Sequence, residues 1–335
     1  MKEAMFYKKM KNKAVQCQLC PHFCFLKSCE KGKCGVRMNK EGTLYSLVYR
    51  KLCSMAVDAI EKKPLFHFAP GTKCLSIATV GCNLSCSFCQ NWEISHPLGG
   101  EICGEETTPE RIIEIAKKQD LPGIAYTYTE PTIAIEFYLE VMRLARKEGL
   151  YNVWVSNGYT NPEPAKRISG FLDAINVDLK GDIKFYQKLC DVPSEKPMKK
   201  VLEIYKSKNV WIEITNLVIP EYNDSIKQIT KLVQWVKKKL GPETPIHFSR
   251  FFPYHKLQNV RFTPAETLEM AAKIADKNGM HYIYVGNVPN PRESTYCPNC
   301  KAVIIKRNGY GIGEIKERCP RCGYRIKLAG LKWVK

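Results

Sequence analysis

Three cysteines carry the sharpest chemical signal in this chain. They stand in Thr79-Val-Gly81-Cys82-Asn-Leu-Ser-Cys86-Ser-Phe88-Cys89-Gln-Asn-Trp92, at spacings of three and two residues, directly after an apolar run at 74–79. Three thiolates this close in sequence fold around one metal centre. A [4Fe–4S] cluster normally takes four cysteines, so three leave one iron open to another ligand. Gly81 permits a tight turn into the loop, and Phe88 supplies an aromatic wall that limits solvent access and shifts the potential of the centre. Buried structural cysteines, or a zinc site completed from elsewhere, would not require this spacing directly behind a strand.

Two four-cysteine groups flank this loop. Cys297-Pro-Asn-Cys300 and Cys319-Pro-Arg-Cys322-Gly323 are paired knuckles separated by 18 residues, the pattern of a zinc ribbon, with 303–315 as hairpin and Gly309, Gly311 and Gly313 as turn material. A rubredoxin-like iron site or an auxiliary cluster are the alternatives there. Cys17, Cys20, Cys24 and Cys34, spaced two, three and nine, fit neither a ribbon nor a ferredoxin run, and Cys29 lies in the same loop. Zinc and a second Fe–S cluster, which would serve as an electron relay, stay open for this group. Cys53, Cys74, Cys103 and Cys190 read as small buried hydrophobes.

The elements that position these groups follow from periodicity. Apolar, β-branched and aromatic runs at 74–79, 124–128, 153–156, 174–179, 210–218, 246–251 and 281–285 read as strands. Between them lie helical patterns: Thr108-Pro109 as cap and first turn, 133–148 ending at Gly149, 225–240 with one apolar face, and Thr263-Pro-Ala-Glu266 with capping-box spacing. Strand–helix alternation predicts a parallel α/β sheet with right-handed crossovers, most simply an open or partial barrel with its site at the C-terminal ends of the strands. Of 335 residues, 52 are Lys or Arg and 33 Asp or Glu, a net charge of +19. Residues 1–66 hold +9, residues 297–335 hold +8, and 67–296 only +2. The expected division is a Cys-rich N-terminal metal-binding region at 1–66, a core at 67–290, and a C-terminal zinc-ribbon-like domain at 291–335, with 285–292 as the linker. The N-terminus lacks the apolar region of a secretion signal, and no run approaches the ~18 apolar residues of a membrane span. A soluble, cytoplasmic, reduced protein with no membrane partner is the expectation.

The Cys82/Cys86/Cys89 loop resembles that of the radical S-adenosylmethionine superfamily. The resemblance implies a partial (β/α)6-type TIM barrel in which the open iron is chelated by S-adenosylmethionine. Reductive cleavage then gives a 5′-deoxyadenosyl radical that abstracts hydrogen from a substrate. It also implies cofactor contacts at successive strand ends. Glu130 in Tyr126-Thr-Tyr128-Thr129-Glu130-Pro131 stands where relatives have a Gly-Gly-Glu segment, although here Tyr128-Thr129 replace the glycines. Ser156-Asn157-Gly158 resembles the segment near ribose and carboxylate, and Asp178-Leu179-Lys180 the Asp-Leu-Lys of pyruvate formate-lyase activating enzymes. His247 belongs to the same set, followed by Arg250 and Gly286-Asn287, although a lone strand histidine is more often a core residue.

Over 17–325 the sequence resembles the radical enzyme family of the AmmeMemoRadiSam system, through Cys17-Gln-Leu-Cys20-Pro-His-Phe-Cys24, Gly32-Lys-Cys34-Gly35-Val-Arg37, Ile60-Glu-Lys-Lys-Pro-Leu-Phe-His67-Phe68, the stretch from Gly81 to Ser95 and the terminal cysteine pairs. This resemblance implies a flavodoxin- or ferredoxin-like reductant and Memo-like and Ammecr-like proteins as companions. Two substrate classes remain. One is a partner protein, as for activating enzymes. The other is a nucleic acid such as tRNA held by the basic flanks, although no stacking-aromatic motif is visible. The reading of another class is a non-enzymatic, zinc-stapled nucleic-acid-binding protein, which would need no open iron.

Overall fold

The computed structural model describes residues 1–96 and 100–335. Its principal elements, in chain order, are β1 (Ser54–Ala59), β2 (Lys73–Ala78), α1 (Pro109–Lys118), β3 (Gly123–Tyr126), α2 (Ile135–Lys147), β4 (Tyr151–Ser156), α3 (Pro162–Ser169), β5 (Ala174–Asp178), α4 (Ile183–Leu189), α5 (Lys196–Ser207), β6 (Trp211–Val218), α6 (Ile226–Leu240), β7 (Ile246–Arg250), α7 (Ala265–Lys277) and β8 (Ile283–Gly286). All seven runs read as strands are strands.

Local chemistry sets the helix ends. Thr108 Oγ1 accepts the Arg111 N–H at 3.2 Å, with Pro109 at the first helical position of α1, and Ser225 Oγ accepts the Gln228 N–H ahead of α6. Helix α6 buries Ile229, Val233, Val236 and Leu240 and stops at Gly241, whose φ is +100°. Thr263 does not cap α7. Its hydroxyl instead accepts the Phe251 N–H at 2.9 Å and donates to Val218 O at 2.5 Å, tying the end of β6 to the residue after β7, and Pro264 precedes the helix without a side-chain cap. The run 133–148 also divides, with a 3-10 turn at Pro131–Ala134 before α2.

Two compact units result, and they cut across the three sequence segments. The first comprises 1–58, 73–175 and 196–210; the second comprises 59–72, 176–195 and 211–335. The first unit has strand order β1-β2-β3-β4, with β3 parallel to both β2 and β4. Strand β4 is buried at all but one position, as expected where both faces of a parallel sheet are covered. The N-terminal antiparallel hairpins belong to this unit. Buried Arg37 seals them to α2 by a two-pronged contact with Glu136, at 2.9 and 3.3 Å.

In the second unit β6, β7 and β8 are successive parallel neighbours. The segment 59–72 belongs here because it is stitched to the C-terminal region. Phe66 O accepts from Arg307 at 2.6 Å, His67 Nδ1 bonds Lys327 O at 2.6 Å, and Phe68 bridges to Ala329. The cysteine-rich tail does not build a separate core: Cys297, Ile304, Ile305, Cys319 and Ile326 pack with Tyr282 and Tyr284 beside and on β8. Expected boundaries at 66/67 and 290/291 therefore differ from the divisions of the fold, since charge and cysteine grouping do not report where apolar surface is buried. Cys74 and Cys190 are buried as expected, but Cys53 is half-buried and Cys103 exposed. Cys103 precedes Glu105–Glu106, which adds to Lys51–Leu52 as a short surface ladder.

Candidate active site

The cysteine loop leaves β2 at Ala78 and turns at Gly81, where φ is +101°. A Cβ there would lie 2.5 Å from Val36 Cγ1 and 2.9 Å from Cys34 O, so both conformation and space demand glycine. The loop is fixed by its amides. Asn83 Nδ2 donates to Tyr159 O at 2.7 Å, and Asn91 Nδ2 to Tyr128 O at 2.8 Å. Thr129 Oγ1 donates to Thr79 O at 2.7 Å, and Phe88 is buried. Two N–H groups point at Cys82 Sγ, from Leu84 at 3.5 Å and Asn157 Nδ2 at 3.7 Å. Cys89 Sγ lies 3.7 Å from Ser95 Oγ.

Glu130, Ser156 and Asn157 come together beside Cys82. The Glu130 carboxylate, 1% exposed, accepts from Ser156 Oγ at 2.9 and 3.1 Å, from the Asn157 N–H at 2.8 Å and from the Thr132 N–H at 3.0 Å. Both oxygens are committed. Burial raises Glu130 above the ordinary carboxylate range, with those hydrogen bonds opposing it. Burial, and then the Glu130 carboxylate, push the Cys82 thiol well up. A cationic centre held by the thiolates would reverse that balance, and N–H donors onto sulfur are what such a centre receives. The donor set therefore fits an iron–sulfur cluster. Glu130 acts here as the brace that sets Asn157 against Cys82.

Tyr128 adopts a left-handed conformation that favours glycine, φ +67°. Its hydroxyl donates to Asp58, which pins an unfavourable backbone.

In the second unit, Lys180 Nζ pairs with Asp178 Oδ2 at 2.5 Å, with the lysine almost wholly buried. The Lys180 N–H is held by Tyr186 Oη at 2.9 Å, and its carbonyl by Asn223 and Asn216. His247 is part of a buried network. Its Nε2 lies 2.8 Å from Glu213 Oε2, its ring stacks on Tyr284 at 4.9 Å, and Glu213 also accepts the Phe66 and His67 N–H groups. Burial would raise Glu213, but the His247 hydrogen bond and the Phe66 N–H bring it net below its usual range. Burial lowers His67 to about 4. A neutral ring agrees with its bonds: Nδ1 can only donate to Lys327 O, leaving Nε2 to accept from Tyr284 Oη at 2.5 Å. Glu213, His67 and Arg307 were not singled out by sequence reasoning. Their only signal was the Phe-His67-Phe block, whose partners lie roughly 150 to 260 residues away.

At the C-terminus Cys297, Cys300, Cys319 and Cys322 offer sulfurs all within 4.8 Å of one another, an arrangement that could hold a metal ion. Cys17, Cys20, Cys24 and Cys34 share the lining of one small cavity in the first unit, while Cys29 is exposed.

The strand-end cysteine loop and the parallel α/β scaffold are those of the radical SAM superfamily, and the chain belongs to it: the family model of that description matches residues 76–233. The chain is 46% identical over 334 residues to an uncharacterized protein of Methanocaldococcus jannaschii, spanning 98% of this chain and 99% of the relative. A pyruvate formate-lyase-activating enzyme of Clostridium pasteurianum is 23% identical over 204 residues, 60% of this chain and 82% of that enzyme. Among solved structures, a radical SAM methyltransferase from Sphaerobacter thermophilus matches with a TM-score of 0.51 at 13% identity, over 65% of this chain and 68% of that one, a likeness of fold. The chain is accordingly an enzyme, and the non-enzymatic reading falls. No helix among the described residues is long and apolar enough to cross a membrane.

Proposed function

We propose that this chain is a radical SAM enzyme of the AmmeMemoRadiSam type that abstracts hydrogen from a partner protein. The observation that carries the radical chemistry is the Cys82 loop, braced by Glu130 and Asn157 at the C-terminal ends of parallel strands. Cys82, Cys86 and Cys89 would hold a [4Fe–4S] cluster, which with bound S-adenosylmethionine supplies reductive cleavage to a 5′-deoxyadenosyl radical. Asn157 and the Leu84 N–H donate to the Cys82 sulfur, and Phe88 keeps water away. Lys180 and Asp178 offer a paired cation and anion suited to the polar ends of an amino acid. The reductant is a flavodoxin- or ferredoxin-like one-electron donor. The C-terminal thiolates hold structural zinc, whose S₄ geometry suits their spacing.

The protein-substrate reading is supported by the activating-enzyme relative. The test is anaerobic turnover with deuterated candidate partners, Memo-like and Ammecr-like proteins first. Deuterium appearing in 5′-deoxyadenosine identifies the donor. The second reading, a tRNA substrate, draws on flanks of +9 and +8. Deuterium transfer from labelled tRNA, with none from the proteins, would establish it instead.

A further inference from the structure

The N-terminal cysteines and the C-terminal cysteines differ in spacing in a way that separates two metals. A tetrahedral zinc sits ~2.3 Å from each thiolate, so its four sulfurs approach one another to within about 4 Å. The C-terminal group meets that: Cys297 and Cys322 are 3.6 Å apart, Cys300 and Cys319 3.4 Å, and all four lie within 4.8 Å. Among the described residues no three of Cys17, Cys20, Cys24 and Cys34 draw together so tightly. Neither do Cys82, Cys86 and Cys89, the cysteines to which the superfamily's cubane belongs. A cubane binds each thiolate through a different iron, so its sulfurs stand apart by an iron–iron edge and two further bonds.

The N-terminal cysteines nonetheless face one another. All four line a cavity of about 10 Å³, closed by Leu19, His22, Arg37 and Ile133. Sulfurs at zinc-bonding distance from a common centre would leave no such space between them. Cys24 Sγ also accepts the Lys33 N–H at 3.5 Å, the kind of donor that tunes cluster potentials. Besides the cysteines the walls carry His22, Lys33 and Arg37 among apolar residues, and Arg37 is fixed by Glu136. From this spacing, the shared enclosed cavity and the all-thiolate donor set, we propose that Cys17, Cys20, Cys24 and Cys34 hold a second [4Fe–4S] cluster, fully ligated by the protein, and no zinc.

Its place in the first unit puts it against the catalytic loop. His22 Nε2 is 2.7 Å from Asn83 O. Asn161, just beyond the Ser156-Asn157 turn, binds the Leu19 and Gln18 backbone at 3.1 and 2.7 Å. Ile133 touches both the cavity and Gly81, and Gly81 packs on Cys34 O. The two cysteine groups therefore adjoin one backbone seam.

The test is metal and sulfide content with electron paramagnetic resonance after anaerobic reconstitution. The Cys82→Ala/Cys86→Ala/Cys89→Ala protein removes the superfamily's site. It should retain about four iron and four sulfide per chain, with a reduced-state signal unaltered by S-adenosylmethionine. The Cys20→Ser/Cys34→Ser protein should fall from about eight iron to about four and keep a signal that S-adenosylmethionine does alter. Zinc should be unchanged in both. An iron-free triple variant carrying two zinc ions, or a double variant that loses zinc and no iron, overturns the proposal. Neither result touches the radical SAM reading, which rests on Cys82, Cys86 and Cys89 alone.

Discussion

At the scale of single residues, the site depends on close backbone packing around Gly81 and on the commitments of Glu130. Gly81→Ala must push its Cβ into Val36 and Cys34 O while holding a left-handed φ. It should cost about 1–3 kcal/mol of stability and lower iron loading, both read from urea unfolding and iron content. Glu130→Gln replaces one acceptor oxygen by an amide donor that faces donors from Asn157 or Thr132. The outcome to expect is a folded protein whose cluster is formed but whose reduced-state signal responds more weakly to S-adenosylmethionine. The place of Cys82, Cys86 and Cys89 in the loop after β2 was legible because their spacing is local. Glu130's role was not, since a Glu before Pro does not reveal that Ser156 and Asn157, some 26 residues on, consume both its oxygens. Nor did Tyr128 announce that its backbone takes a conformation that favours glycine, made tolerable by Asp58.

At the scale of elements, the strands and most helix ends could be read because apolar runs and capping residues act within a few positions. The strap at 59–72 could not. It is short, lacks periodicity, and its identity as part of the second unit comes from Glu213, Arg307 and Lys327, all distant in sequence. The strap makes a pH prediction. Burial holds His67 at about 4, against about 6.5 in an unfolded chain. Below pH 6.5 the unfolded state takes up a proton that the folded state refuses until about 4, so stability falls as pH falls through that window. The loss should be about 2 kcal/mol between pH 7 and pH 5. Glu213, lowered in the fold, loses its contribution in the same direction at still lower pH. Unfolding curves of the native protein and His67→Gln should converge as pH drops; parallel curves would remove His67 from the account. The C-terminal four-cysteine group, proposed above to hold zinc, is the other element on test. Chelation or Cys300→Ser should loosen the Cys297, Ile304 and Ile326 cluster around Tyr282 and Tyr284, seen as a lower Tm with iron content unchanged.

Across the whole molecule, charge and metal have to be counted together. Four thiolates on Zn²⁺ carry about −2, a fully ligated [4Fe–4S]²⁺ cluster about −2 and three thiolates on a second about −1. With the proposed zinc and two clusters in place, the formal +19 becomes about +14, most of it on the two flanks. If the partner is a protein, tRNA should bind no tighter than ~10⁻⁴ M even at low salt; tighter binding that weakens steeply as salt rises would favour the nucleic-acid reading. The central claim lies upstream of either substrate. Anaerobically reconstituted protein of measured iron and sulfide content, given dithionite and S-adenosylmethionine, should release methionine and 5′-deoxyadenosine, and Cys86→Ala should release neither while keeping its zinc. Fully loaded protein that forms no 5′-deoxyadenosine would contradict the account.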